Sequence, residues 1–317
     1  MSERTPIMLT HGDEACKDFF VINWGLGNIC NYKCSYCPDM LHNASHNWPL
    51  VEDVISFCDK IIEKKPAKHI YIEFTGGEIS LWKDFKFLCK ELKKRKVIIG
   101  CISNGSPNKD WWHELVGVID HLCLSFHSEY CQVGNFIEVM NMMKDHCRLH
   151  VNVMMNPKKF DLCLDFINDI SMTKNISLSL QPLVVDLRTQ LFPYSKEQLR
   201  VLTEKKMNIE LSDLMLKSSY NPRGSMRFIY ANNETELLSP EGIIGKGLNN
   251  WLGWKCFSGV EQIIIDMDGK IWRGWCFNGG CIGHINDSIL NLPAFPMTCT
   301  ENLCTCNFDI MSTKEKR

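Results

Sequence analysis

From Phe19 to about Leu183, apolar runs of strand length alternate with segments whose apolar residues recur at helical spacing, and few folds accommodate that rhythm. Strands are expected at Phe19 to Trp24, His69 to Thr75, Val97 to Ser103, His121 to Phe126, Leu149 to Met154 and Ile176 to Leu183. Between them, Val51, Val54, Ile55, Cys58, Ile61 and Ile62 mark one helical face, and Phe85, Leu88, Cys89 and Leu92 a second. Phe136, Ile137, Met140 and Cys147 mark a third, and Cys163, Phe166, Ile167 and Ile170 a further one, with a shorter crossover near Asp110 to Val118. Repeated βα units imply parallel strands joined by right-handed crossovers, hence an α/β fold that is either a doubly wound sheet or a full or partial barrel. Both architectures put their chemistry at the carboxyl ends of the strands.

From Val184 to Asn250 the rhythm degrades. A polar helix is expected near Lys196 to Met207 and a short strand near Met226 to Tyr230, while Pro193, Pro222, Gly224, Pro240, Gly242, Gly245 and Gly247 break up the remainder. Beyond it, Val260 to Asp266 and Lys270 to Cys276 flank Met267-Asp268-Gly269, a hairpin signal. The chain therefore divides into an N-terminal extension (1–18), a βα region (19–183), a bridging segment (184–250) and a cysteine-rich tail (251–317).

Composition narrows the function. With 35 Lys+Arg against 37 Asp+Glu and no long basic run, the chain lacks the footprint of nucleic-acid binding. No stretch approaches 18 consecutive apolar residues, and the N-terminus carries acids rather than a signal-like apolar core, so no membrane partner and a cytoplasmic location are expected. In a reducing compartment 17 cysteines are not a disulfide framework; they are core fillers, metal ligands or nucleophiles. Eleven lie between Cys16 and Cys163, six between Cys256 and Cys306, and none between those groups. Cys58, Cys89, Cys147 and Cys163 belong on buried helix faces, where free cysteine behaves as a small hydrophobe.

Directly after the first expected strand comes Cys30-Asn-Tyr-Lys-Cys34-Ser-Tyr36-Cys37-Pro. Three thiolates within eight residues can bind three irons of a cubane cluster and leave the fourth iron without a protein ligand. A closed zinc site needs a fourth donor, which His42 or His46 can supply. Two glycine motifs carry less: Gly25-Leu-Gly27-Asn-Ile-Cys30 has Cys where a dinucleotide fingerprint needs its third glycine, and Gly242-Ile-Ile-Gly245-Lys246-Gly247 lacks the spacing of a phosphate loop.

The triad, with an aromatic before its last cysteine, resembles the signature of the radical S-adenosylmethionine (radical SAM) superfamily. The resemblance continues at Thr75-Gly76-Gly77-Glu78, similar to the family's GGE motif, and more weakly at Asn104, Ser125 and Asn152 on the next three strands. It implies a partial six-stranded (β/α) barrel over about 19–183. It also implies a SAM-binding 4Fe-4S cluster on Cys30, Cys34 and Cys37, and SAM contacts from Tyr36, Gly76, Gly77, Glu78, Asn104, Ser125 and Asn152. His127 and Glu129 fall at the pocket rim under this alignment and are candidates for an acid or base.

In the tail, Cys256 and Cys276 stand at the two ends of the hairpin, where antiparallel strands are expected to bring them close, and Cys299, Cys304 and Cys306 come later to close the site. The layout resembles the twitch domain, the shorter relative of the SPASM extension, which carries an auxiliary 4Fe-4S cluster. Cys256 and Cys276 are the firmest ligands; Cys299, Cys304 and Cys306 compete for the remaining places, and Cys281 is a bystander. Six residues rather than the family's usual four separate Gly269 from Cys276, and two extra residues keep Cys276 on the same strand face. A zinc knuckle of the same thiols is the alternative.

The resemblance implies that a reduced flavodoxin or ferredoxin supplies an electron, that SAM is cleaved to a 5′-deoxyadenosyl radical, and that this radical takes a hydrogen atom from substrate. Family members of this layout act on peptides and proteins or on sugars and other small alcohols. About eighteen residues precede the first strand, too few for the leader-binding domain peptide-maturation enzymes often carry, which favours a small molecule or a peptide whose leader a separate protein recognises. A structural zinc or iron-sulfur protein and an enzyme that activates a glycyl-radical partner are the rival readings.

Overall fold

The computed structural model describes residues 4–185, 190–204 and 224–316. In chain order the first elements are β1 (Pro6–His11), β2 (Phe19–Gly25), α1 (Val51–Lys64), β3 (His69–Thr75), α2 (Phe85–Lys94), β4 (Ile98–Ser103) and α3 (Lys109–His113). Next come β5 (His121–His127), α4 (Val133–Met143), β6 (Arg148–Met155), α5 (Phe160–Ile170), β7 (Ile176–Pro182) and α6 (Lys196–Glu204). The chain continues through β8 (Met226–Tyr230), β9 (Thr235–Leu238), α7 (Pro240–Gly245), β10 (Lys255–Cys256), β11 (Gln262–Ile265) and β12 (Lys270–Trp272). It ends with β13 (Cys281–His284), β14 (Met297–Thr298), α8 (Asn307–Ile310) and β15 (Lys314–Glu315). The β2-to-β7 alternation is the βα repeat expected from the sequence. The expected helix over Lys196 to Met207 is described as far as Glu204; its last residues lie outside the described ones.

The chain forms two compact units, one of Leu26–Val51 with Glu73–Ser218, the other of Met1–Gly25, Glu52–Ile72 and Ser219–Arg317, as far as these are described. In the first, strands follow in the order β3-β4-β5-β6-β7, and β4 to β7 pair in parallel. Along β6 one row, Leu149, Val151, Val153 and Met155, is buried, and the alternate row is half-exposed. The apolar faces of α4 and α5 pack here: Phe126 stacks on Phe166 with centroids 3.8 Å apart, and Phe136 meets both rings edge-on. Burying each such ring contributes about 1.5–3 kcal/mol.

In the second unit, one sheet runs β14-β10-β15-β1-β8-β9, and β13-β12-β11-β2-β3 forms another run, with β11 parallel to β2 and antiparallel to β12. Leu9, Phe228, Tyr230, Ile243, Trp251 and Ile310 are among the residues of its core. Pro6–His11, for which the sequence offered no element, is a strand because it finds partners in β8 and β15 near the far end of the chain. Residues 240–245, read as broken by proline and glycine, form α7: Pro240 occupies the first turn and Ser239 caps it by accepting from Gly242 N at 3.1 Å.

Three expectations need correction. Cys147 is buried as expected but lies past the end of α4, in the turn before β6. The hairpin strands are shorter than expected, because Asp266 folds back: its Oδ1 accepts from Asp268 N and Lys270 N, and Gly269 turns the chain with φ 79°. Cys256 does not sit on the hairpin but on β10, in the other sheet, between β14 and β15. Among the described residues no helix is long and apolar enough to cross a membrane.

Candidate functional site

The loop after β2 carries Cys30, Cys34 and Cys37, and its entry is shaped by glycines. Gly77 N donates to Gly27 O at 2.8 Å and Glu78 N to Ile29 O at 2.8 Å, bringing the turn after β3 against the chain that leads into Cys30. A Cβ on Gly77 would lie 2.1 Å from Ile29 O, and one on Gly76, at φ 116°, 2.4 Å from Gly27 O. The two glycines are therefore needed to seat the cysteine loop, whatever they also offer a ligand.

Glu78 is fully buried. Its Oε1 accepts from Ser103 Oγ at 2.8 Å and Ser80 N at 3.1 Å, and its Oε2 from Asn104 N at 2.8 Å, so it ties the end of β3 to the end of β4. Burial pushes its pKa up against those hydrogen bonds. Asn104 in turn donates from Nδ2 to Asn31 Oδ1 at 2.9 Å, beside Cys30. Tyr36 OH lies 2.7 Å from His127 Nδ1, the two rings stacked at 6.0 Å, and His127 Nδ1 is 3.6 Å from Cys34 Sγ. Burial pushes His127 down to about 4. Glu129 accepts from Ser35 N at 2.7 Å and Ser35 Oγ at 2.5 Å; burial raises its pKa, but the bonds from Ser35 and Asn156 outweigh it and leave it lowered.

Tyr36, Gly76, Gly77, Glu78, Asn104, His127 and Glu129 are thus gathered on the cysteine loop or on the chain that seats it. Ser125 and Asn152 lie opposite each other within β5 and β6, Ser125 two residues before His127. Asn152 Oδ1 accepts from Ser179 Oγ at 2.6 Å and lies 2.8 Å from His150 Nε2, while its Nδ2 donates to Cys123 Sγ at 3.3 Å.

Burial raises Cys30, pushes Cys34 up to about 12 and Cys37 to about 11, and each of the last two also feels a neighbouring thiol. Cations bound among them would reverse that penalty. Among the described residues no three His, Cys, Asp or Glu side chains are gathered as a single ion requires, His42 and His46 included. A polynuclear cluster does not ask for that, since each thiolate takes its own iron; the donor set fits it.

In the tail, a small cavity that opens to solvent is lined by Cys256, Cys276, Cys299 and Cys304 together with Arg273 and Lys314. Cys306 caps α8 beside it, and Cys281 is exposed. Cys276 reaches the cavity from a turn rather than from a strand: β12 ends at Trp272 after a register shift, so strand parity does not govern residue 276. Buried Asp309 holds that turn, accepting from Trp275 N at 2.9 Å and Cys276 N at 2.8 Å. Lys314, 1% exposed, donates to Asp309 O at 2.7 Å and to Ser312 O at 2.9 Å. Burial pushes Cys276 up to about 12 and raises Cys299 and Cys304. Four thiols beside two basic side chains suit an anionic thiolate-bound metal centre.

Sequence reading missed Asn28, Ser35, Tyr130, Asp309 and Lys314. Asn28 is fully buried and fastens the segment after Cys37: the two N–H groups of its Nδ2 are shared among Met40 O at 2.8 Å, Asn43 Oδ1 at 2.7 Å and Ser45 Oγ at 2.9 Å. The only signal was its place in the glycine motif before Cys30.

Residues 24–149 match the family model described as the radical SAM superfamily. The chain carries a radical SAM domain. It is 27% identical over 194 residues to an S-adenosylmethionine-dependent nucleotide dehydratase of Psychrobacter lutiphocae, covering 57% of this chain and 60% of that protein. It is 26% identical over 178 residues to a serine-type anaerobic sulfatase-maturating enzyme of Bacteroides thetaiotaomicron, covering 48% of this chain and 43% of that one. The chain thus spans less than two thirds of the length of either relative. Among solved structures it is similar to anSMEcpe with bound AdoMet, with TM-score 0.55 and 13% identity over 86% of this chain and 79% of that one. It is also similar to Streptococcus suis SuiB bound to S-adenosylmethionine, with TM-score 0.52 and 14% identity over 87% and 65%. The radical SAM domain has the partial (β/α) barrel of these structures.

Proposed function

We propose that this chain reductively cleaves S-adenosylmethionine and uses the radical formed to take a hydrogen atom from a small sugar- or alcohol-like molecule or from a peptide. The observation that carries the reading is the three-thiol loop at the carboxyl end of β2, seated by Gly76 and Gly77, within the region that matches the radical SAM family. Cys30, Cys34 and Cys37 would hold a 4Fe-4S cluster with one iron open to S-adenosylmethionine, with Tyr36, Asn104 and the Gly76–Glu78 turn around it. Bound there, cluster and S-adenosylmethionine supply the electron transfer and the 5′-deoxyadenosyl radical; the protein supplies position and exclusion of water. Ser125 and Asn152, paired across β5 and β6, are proposed as further S-adenosylmethionine contacts.

The barrel over 19–183 and the tail over 251–317 are proposed as separate metal-binding domains joined by 184–250. Four of Cys256, Cys276, Cys299, Cys304 and Cys306 would hold an auxiliary 4Fe-4S cluster, and the cavity lining favours the first four. An electron donor of flavodoxin or ferredoxin type completes the proposal. The relatives' names divide between a nucleotide and a protein as the molecule acted on, a division between small molecule and polypeptide that parallels the two substrate classes of this proposal.

Anaerobic reconstitution, reduction and quantification of 5′-deoxyadenosine test the reading. The wild-type chain is expected to bind about eight irons, as two cubane clusters require, and to release 5′-deoxyadenosine slowly without substrate. The Cys30→Ala, Cys34→Ala, Cys37→Ala variant is expected to release none. A colourless protein, or a triple variant that still cleaves S-adenosylmethionine, sinks the proposal and favours a structural metal protein.

A further inference from the structure

We infer that the turn His127–Tyr130, at the carboxyl end of β5, is a clasp that positions the three-cysteine loop, with His127 and Glu129 as positioning residues for S-adenosylmethionine cleavage rather than an acid and a base toward the substrate. The inference rests on the functional reading above. Its ground is an ordered set of contacts. His127 pairs with Tyr36, Glu129 with Ser35, and Tyr130 with Lys33 and Tyr32, so the two segments meet in reverse order along their lengths. Tyr130 stacks on Tyr32 at 5.3 Å and donates from its hydroxyl to Lys33 O at 2.9 Å. Cys34 is therefore bracketed on both sides, and the loop reaches Cys37 with Tyr36 already oriented.

Both carboxylate oxygens of Glu129 and the Nδ1 of His127, atoms an acid–base role would use, are engaged elsewhere. Glu129 Oε2 takes the backbone N–H of Ser35; Oε1 takes the Ser35 hydroxyl and Asn156 Nδ2, the latter at 2.8 Å. Asn156 is itself set by its own turn, its Oδ1 accepting from Lys158 N at 2.9 Å, and Lys159 donates from Nζ to Ser128 O at 3.4 Å beneath the clasp. His127 Nδ1 lies within reach of both Tyr36 OH and Cys34 Sγ. A carboxylate holding a backbone N–H of the loop fixes the geometry of the flanking thiols, as groups behind metal ligands commonly do.

The test compares Glu129→Ala, Glu129→Gln, Ser35→Ala and Tyr130→Phe in the full chain. It reads iron content, the change in the EPR spectrum of the reduced protein on adding S-adenosylmethionine, and 5′-deoxyadenosine released without substrate. With iron retained, Glu129→Ala is expected to lower substrate-free release about tenfold and to blunt the spectral change, about threefold for Ser35→Ala and less for Tyr130→Phe. Glu129→Gln keeps an acceptor for Ser35 and is expected to recover part of the loss, whereas an acid–base role toward the substrate would leave substrate-free release unchanged in both variants. If Glu129→Ala fails to fold, Ser35→Ala, which removes one hydroxyl and leaves the backbone N–H, carries the test. Variants with wild-type substrate-free cleavage and spectra overturn the clasp alone. A wild-type chain that cleaves no S-adenosylmethionine overturns the functional reading and the clasp with it.

Discussion

The two cysteine-rich regions are built in opposite ways. Cys30, Cys34 and Cys37 lie in one short loop, and distant residues serve mainly to hold that loop. The tail cavity has no such loop: Cys256 comes from β10, Cys276 from a turn held by Asp309, and Cys299 and Cys304 from the segment after β14. In the first, one stretch of eight residues carries all three thiols; in the second, the thiols share a cavity only through pairing between remote strands. The first is expected to survive damage to distant structure and to fail when its seat is disturbed. The second should depend on the strand pairing and charges around it.

The sharpest way to break that comparison is Gly77→Ala. The added methyl would overlap the Ile29 carbonyl, and neither a Cβ nor a backbone oxygen can relieve that by changing rotamer. A loss of about 3 kcal/mol or more is expected, with the barrel iron lost while the tail iron remains. Iron analysis and thermal unfolding check it; a variant with full iron and unchanged melting would mean that the loop needs no such seat.

Cys256→Ala with Cys276→Ala is the converse experiment. It should remove about half the iron, as expected for one of two cubane clusters, and leave substrate-free S-adenosylmethionine cleavage in place. Loss of both clusters together would erase the distinction between the regions.

Lys314→Met probes the charge at the tail cavity. Removing the amine strands the carbonyls of Asp309 and Ser312, at a cost of about 1–3 kcal/mol. If the cavity holds an anionic centre, the loss in melting temperature should be larger in iron-loaded than in iron-free protein. Equal losses in both would leave Lys314 a purely structural residue.

The smallest effect concerns acid. Glu261 accepts from Thr313 N at 2.8 Å and pairs with His11 at 3.5 Å; burial raises its pKa, but these partners outweigh it and leave it below the usual carboxylate value. The unfolded chain then binds this proton more readily than the folded one. The contribution is full above about pH 4.5, the ordinary Glu value, and is lost as pH falls through the lower folded pKa. Glu261→Gln should flatten the acid limb of stability measured by denaturant titration, and an unchanged limb would remove Glu261 from this role.

The parallel strands were legible because strand-length apolar runs and helical stripes are local patterns, and β2 to β7 fall close to where those patterns put them. The cysteine loop was legible because a chelate of eight residues is also local. Less was readable for β1, whose six residues become a strand only beside Met226–Tyr230 and Lys314–Glu315. The family resemblance put His127 and Glu129 at the pocket rim, yet which atoms they hold could not be read. Ser35, an ordinary residue between two cysteines, gave no sign that a carboxylate from another loop would take its N–H.

By itself the sequence determined the βα repeat, the three-thiol loop after the first barrel strand and the glycines that follow the next, because periodicity, chelate spacing and glycine's freedom act between near neighbours. Only the tertiary structure decided that Gly77 must admit the Ile29 carbonyl, that Cys256 sits between β14 and β15, and that Glu129 grips Ser35. Those outcomes depend on hydrogen-bond partners and packed backbones brought together across long stretches of chain, and no local pattern encodes which distant atom will arrive.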